Sequence, residues 1–424
     1  MSVAVTRLDN GITVATHHMP HLESVALGLW VDAGARSETD KEHGISHLLE
    51  HMAFKGTRRR SALDIAEAIE AVGGDMNAET GVEQTTYYLR LLKDDIELGL
   101  DVLGDIICEP TLDREELATE RHVILQEIGA AHDTPEEWAG DLFQEAAFPS
   151  QPIGRSILGT PDSIRALTPD DLRAFLRTHY GGAASMIVAV GNLDHDRLVE
   201  LARQHLGRLP SQPVADVTPA TYQGSARCDT RPLKEVQFLL GFAAPSLSDN
   251  AFATAHIYSA ILGGGMASRL FQSLREQRGL CYSVNSFYWP FTDTGVFGIH
   301  MATSEDEIEE AVSVTLDELG KMTESVTPAE LGRAKAQLRA GLLMTLESPV
   351  ARAGQIARHI SVHGRPLALE ESLAIVDAVT ADDLITLSQS MFATRPTLAT
   401  VGPLRQSPDL DDIAGRINAF SAAA

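Results

Sequence analysis

The sequence predicts an α+β protein of two homologous halves, each a layer of helices and mixed strands, joined by a linker and enclosing a cavity. Three observations lead there. One terminal signature occurs twice about 210 residues apart, a proline-rich break lies between the copies, and helices come in groups instead of alternating strictly with strands. "LTPDDLRAFLRTHYGGAASMIVAVGNLD" closes the first copy and "VTADDLITLSQSMFATRPTLATVGPL" the second. Thr168 corresponds to Thr380, an offset of 212, and Gly191 to Gly402, an offset of 211. Each copy reads as a Thr cap, an amphipathic helix, a short loop and an apolar strand ending in Gly. Upstream, "EELATERHVILQE" aligns with "AELGRAKAQLRAG". The break, "LPSQPVADVTPATYQGSAR", carries three prolines and no apolar period, as a linker does. The expected division is 1–212, a linker over 213–226, and 227–424.

In the first half, "VTRLDNGITVATH" alternates around Asn10-Gly11 and predicts a hairpin. "SVALGLWVDAG" and "TTYYLRLL" have the composition of strands, and the strands are expected to pair antiparallel. Residues 41–56, 62–72, 94–107 and 113–131 carry helical patterns. "DMNAET" (75–80) reads on its own as a turn. "ILGGGMASR" lacks the lysine of a phosphate-binding loop and reads as a flexible loop.

Composition narrows the function. Of 424 residues, 44% are hydrophobic and 22% charged, the balance of a soluble globular protein. No run of 18 apolar residues occurs, so no membrane insertion is expected. "MSVAVTRLDNGITVA" reads as a strand and a turn instead of a targeting signal, and cytoplasmic residence is expected. Cys108, Cys228 and Cys281 are too scattered for a disulfide framework. A net charge of -25 repels phosphate and argues against nucleic acid, while it would attract basic peptides.

The chemistry concentrates in "GISHLLEHMAFKGT" (44–57). On a helix, with His47 at zero, Glu50 falls near roughly 300° and His51 near roughly 40°, so the three share one arc. Two imidazoles one turn apart suit zinc, which in a catalytic site needs a third protein ligand and one open position. Glu50, beside the metal, could take a proton from the attacking water. The order H-x-x-E-H inverts the commoner H-E-x-x-H. His43 completes an i, i+4, i+8 series but sits at the frayed start, as a solvated or supporting histidine. The third ligand is sought in "ELATERHVILQEIG". Glu127, among Val123, Ile124, Leu125 and Ile128, should point inward, where a carboxylate must be paired or metal-bound. Glu120, two turns earlier, would support a ligand.

"HGISHLLEHMAFKGT", "GGDMNAETGVEQTTYY" and Glu127, with 75 residues between it and His51, together resemble the M16 (pitrilysin/insulinase) zinc metallopeptidases. The resemblance spans essentially the whole chain and is greatest to the short-chain, processing-peptidase-like branch. It implies an endopeptidase with one zinc per chain on His47, His51 and Glu127, with Glu50 as general base and Glu120 as supporting carboxylate. Zinc-bound water would attack short or unfolded, presequence-like peptides. Arg275 and Tyr282, in "SRLFQSLREQRGLCYSV", match a pair that contacts substrate and could steady the oxyanion; Arg269 and Arg278 lie close by as alternatives. "DMNAET" becomes an edge strand on which Asn77 and Ala78 meet the peptide backbone. Glu137 and Asp141 match an acidic pair that receives an arginine near the cleavage point. The branch implies a dimer, with a homodimer the simpler expectation and a heterodimer with an inactive partner the other. The alternative is a non-catalytic structural or peptide-binding subunit like the bc1-complex core proteins, whose zinc motif is often eroded.

Overall fold

In the computed structural model, residues 3–404 and 408–422 are described. Two sheets organise the chain. The first holds β1 (Ala4–Arg7), β2 (Thr13–His18), β3 (Ser24–Val31), β4 (Asp75–Thr80), β5 (Thr85–Leu92) and β6 (Ser185–Gly191), in the order β1-β2-β6-β3-β5-β4. The second holds β7 (Ala226–Thr230), β8 (Val236–Ala243), β9 (Cys281–Pro290), β10 (Gly295–Thr303) and β11 (Thr397–Gly402), in the order β7-β11-β8-β10-β9. Leaving out β1, the orders superpose strand for strand, which is the sequence repeat expressed as topology. The expectation of antiparallel pairing fails at one place in each sheet. β2 runs parallel to β6, and β7 parallel to β11, because long helical excursions separate these partners and no hairpin joins them.

The first-half helices are α1 (Ile45–Ala53), α2 (Ala62–Glu70), α3 (Ile96–Cys108), α4 (Arg114–Asp133), α5 (Pro135–Ala147), α6 (Pro161–Ala166), α7 (Pro169–His179) and α8 (His195–Leu206). Those of the second are α9 (Phe252–Gly263), α10 (Ile308–Glu324), α11 (Pro328–Thr345), α12 (Pro349–His363), α13 (Leu369–Ala378), α14 (Ala381–Phe392) and α15 (Leu410–Ala422). The repeated Thr caps behave as read: Thr168 and Thr380 each accept from the amide three residues on, and each closes a capping box with an Asp. The helix expected over 41–56 is shorter, because Gly44 sits at φ +89° and cannot continue an α-helical turn. No helix among the described residues is long and apolar enough to cross a membrane.

Packing divides the chain into two compact units that no single cut produces. One comprises Met1–Gly129, Arg155–Thr218 and Leu343–Ala368; the other Ala130–Gly154, Pro219–Leu342 and Leu369–Ala424. In the first unit, one sheet face supplies Val14, Val25, Leu27, Leu29 and Tyr87 to a core shared with α1, α3 and α8. The opposite face, with Ala15, Met19, Met186, Val188 and Val190, is covered by Ala353, Ile356 and Ala357 of α12. In the second unit α5 packs on β7, β8 and β11, and Phe143 lies edge-on to Phe287 and Trp289. A fragment ending at residue 212 would thus leave an apolar sheet face in water. It is expected to aggregate and bind a hydrophobic dye, and residues 343–368 added as a peptide should restore solubility, as sedimentation would show.

Candidate metal centre

The site is built on α1. Ile45, Ser46, Leu48, Leu49, Met52 and Ala53 are buried, which leaves His47, Glu50 and His51 half-buried on the remaining arc. The helix start is pinned by the Glu38 carboxylate, which accepts from the amides of Gly44 at 2.8 Å and Ser46 at 2.9 Å. A Cβ on Gly44 would meet Gly159 Cα at 2.9 Å, so only glycine fits. The helix end turns at Gly56, whose carbonyl accepts both the amide and the hydroxyl of Thr111 at 3.0 Å.

Burial lifts the Glu38 carboxyl to about 7, against the pull of its two amide bonds. A folded value above the unfolded one favours the protonated form in the fold. Its stabilising contribution is complete below the ordinary 4.5 and is lost as pH rises through about 7. Compared with Glu38→Gln, the native chain should lose stability between pH 5 and pH 8 by on the order of 3 kcal/mol. Thermal melts of both proteins at the two pH values would check it.

Three ligand atoms converge. His47 Nε2 and His51 Nε2 stand 3.7 and 3.8 Å from Glu127 Oε2. Two ligands at zinc's usual bond lengths in a tetrahedron are ~3.4 Å apart, so the set needs only a small contraction to hold the ion. His47, His51 and Glu127 form the one group of metal-binding side chains found among the described residues. Glu127 Oε2 is buried without a hydrogen-bond partner, although the side chain as a whole is 39% exposed. A buried carboxylate oxygen left unpaired is costly, and a cation at this point would satisfy it. Burial, then the neighbouring His51, depresses the His47 pKa to about 4, so this imidazole is neutral at pH 7 and has a lone pair to give. The residues fit zinc.

Supporting contacts fix the set. Glu120, 3% exposed, accepts from His51 Nδ1 at 3.0 Å, which leaves the Nε2 lone pair directed at the ligand cluster. Lys55 Nζ lies 2.7 Å from the other Glu120 oxygen. Glu50 points elsewhere: the Thr80 hydroxyl donates to its Oε2 at 2.5 Å. Burial raises the Glu50 pKa above the ordinary carboxylate value, opposed by that bond and by His51, which suits a group that must take and return a proton.

His43 stays out of the cluster, with Nε2 bound to the Ser156 carbonyl at 2.9 Å. Asn77 and Ala78 lie on β4, an edge strand with β5 as its sole neighbour among the described residues, and the Asn77 side chain accepts the Ala78 amide at 2.9 Å. In the second unit, Arg275 lies over the rings of Phe271 at 4.7 Å and Tyr282 at 5.3 Å, and Tyr282 is 79% exposed. Arg269 is committed to Glu330 at 2.7 Å and Arg278 to the Ser273 carbonyl at 2.9 Å, so Arg275 is the guanidinium of the three without such a partner among the described residues. Glu137 and Asp141 share α5, Glu137 exposed and Asp141 half-buried. In the second half, Ala334 fills a buried position on α11 that Glu120 fills on α4, and Gly341 stands where Glu127 does. Lys55 and Thr80 went unnoticed in the sequence. Lys55 had a signal, being one turn beyond His51; Thr80 had none.

The family described as Insulinase (Peptidase family M16) matches residues 13–161, and the Peptidase M16 inactive domain matches 166–338. A protein named an uncharacterized zinc protease in Rickettsia felis is 37% identical over 400 residues, 94% of this chain and 97% of its own. The mitochondrial-processing peptidase subunit beta of Blastocladiella emersonii is 33% identical over 426 residues, 98% of this chain and 91% of its own. A solved structure of a protease from Helicobacter pylori shares the fold, with a TM-score of 0.87 at 21% identity over 95% of this chain and 99% of that one.

Proposed function

The chain belongs to peptidase family M16, the insulinase family, and is a metallopeptidase, and we propose that it is a zinc endopeptidase of short or unfolded peptides in which Glu50 is the general base. The observation that carries this reading is the approach of His47 Nε2 and His51 Nε2 to the unpartnered Glu127 Oε2, with Glu50 on the same helical arc. Zinc held by His47, His51 and Glu127 would polarise a water molecule and the scissile carbonyl. Glu50 would take a proton from the attacking water and return it to the leaving amine. Glu120 holds His51 in the tautomer that leaves Nε2 free.

The free edge of β4 is proposed to seat the peptide by strand addition, with the Asn77 side chain releasing the Ala78 amide for substrate. Arg275 and Tyr282 are proposed to bind the peptide and steady its developing negative charge, and Glu137 with Asp141 to receive an arginine. A cytoplasmic homodimer with one zinc per chain, drawing in basic peptides through its net charge of -25, completes the reading. The intact ligand set weighs against the non-catalytic subunit. Zinc analysis with a peptide-library digest, with and without chelator, tests the proposal: zinc and chelator-sensitive endoproteolytic cleavage are expected, and a chain that takes up no zinc would end it.

A further inference from the structure

Thr80 ends β4 and donates its hydroxyl to Glu50 Oε2 at 2.5 Å, so one carboxylate oxygen is occupied; Oε1 makes no hydrogen bond to the described residues. The segment that follows Thr80 is tightly held. The Gly81 carbonyl accepts the Ala35 amide at 3.2 Å and the Val82 carbonyl the Arg36 amide at 2.7 Å. Buried Arg36 pairs with Glu83 at 2.6 Å, and the Gln84 side chain donates to Asp32 at 2.7 Å. A Cβ on Gly34 would stand 2.4 Å from the Gly81 carbonyl oxygen, so the chain there closes against the turn with no room for a side chain. Thr85, the partner of Thr80 across the hairpin, is buried and donates to the Ala33 carbonyl at 2.8 Å. Thr80 therefore has a fixed backbone and a short side chain. Glu50 has three rotatable bonds, and without a partner its carboxylate would wander among rotamers and lose that freedom whenever it had to be gathered in.

We propose that Thr80 is a positioning residue for peptide hydrolysis: by occupying Glu50 Oε2 it orients the carboxylate and leaves Oε1 to accept the proton of the attacking water. The inference rests on the reading of Glu50 as the base. It also ties two proposed roles together, because the strand that seats the peptide at Asn77 and Ala78 is the strand that holds the base. The contact is geometric preorganisation: an interaction made once in the fold is not remade in each turnover.

The test is Thr80→Val, which keeps the branched shape and removes the hydroxyl, beside Thr80→Ser, which keeps the hydroxyl. Both are made in the full chain and assayed with zinc on a quenched fluorescent peptide that the native chain cleaves. Thr80→Val should lose kcat by about 10- to 100-fold with KM within about twofold, while Thr80→Ser stays within about threefold of native. A second readout needs no turnover. Added to Glu50→Gln, Thr80→Val should leave zinc content and the Kd for the same peptide unchanged. Native kcat in Thr80→Val overturns the inference, as does equal impairment of Thr80→Ser, or a loss confined to zinc content, KM or Kd. Should Thr80→Val lose the fold, Thr80→Ala against Thr80→Ser gives the same contrast. An active Glu50→Gln removes the base reading and this inference together; an inactive Glu50→Gln beside a fully active Thr80→Val removes this inference alone.

Discussion

Glu50→Gln is expected to retain zinc and to lose peptide hydrolysis by about 10³-fold or more, at the upper end of what general acid–base catalysis contributes. The substitution is nearly isosteric. The amide oxygen can still accept the Thr80 hydroxyl bond now made at 2.5 Å, so the side chain has a reason to stay in place. What it cannot do is take a proton from water and return it to an amine. Glu50 is absent from the cluster of ligand atoms, so zinc content should be unchanged by elemental analysis. Substantial activity in a zinc-replete variant would remove Glu50 from its role.

Glu127→Ala is expected to do the opposite: lose the metal first and activity as a consequence. Removing one of three protein ligands should weaken zinc binding by roughly 10³-fold, a fraction of the binding energy zinc draws from protein side chains. The fold should hardly notice. Glu127 is 39% exposed, and its close polar neighbours are the two ligand histidines, so the metal-free variant should melt within about 0.5 kcal/mol of the metal-free native chain. Glu120 makes the useful contrast. It is 3% exposed and is held by both His51 and Lys55. Its replacement by Gln should weaken zinc by only about 10- to 100-fold, yet it strands the Lys55 ammonium and costs stability. Chelator competition and thermal melts separate the two. A Glu127→Ala variant that kept native zinc affinity would mean that another side chain completes the site.

Much of this centre was legible in the sequence, for a local reason. His47, Glu50 and His51 lie within five residues, and a helix of fixed period places them on one arc whatever the rest of the chain does. The buried pattern of α1 follows that arc residue by residue. Glu127 was legible less directly, as a carboxylate in an apolar stretch. Its partly exposed side chain with one buried oxygen is a finer arrangement than hydrophobic pattern conveys. The α1 start is not legible in the pattern, because periodicity carries past Gly44, whereas the helical backbone conformation does not.

The sequence by itself determined the duplication, the capped helices, the inverted zinc motif and the absence of its counterpart in the second half. All of these depend on residue types at short or repeated spacings. Only the tertiary structure decided which side chains hold those groups in place. Thr80 reaches Glu50 across 30 residues and Glu120 reaches His51 across 69. It also decided that α12 covers the first sheet and α5 the second, with the compact units crossing the sequence repeat. Contacts at such separations are set by strand order and by which apolar face still needs cover. Neither leaves a local period in the chain.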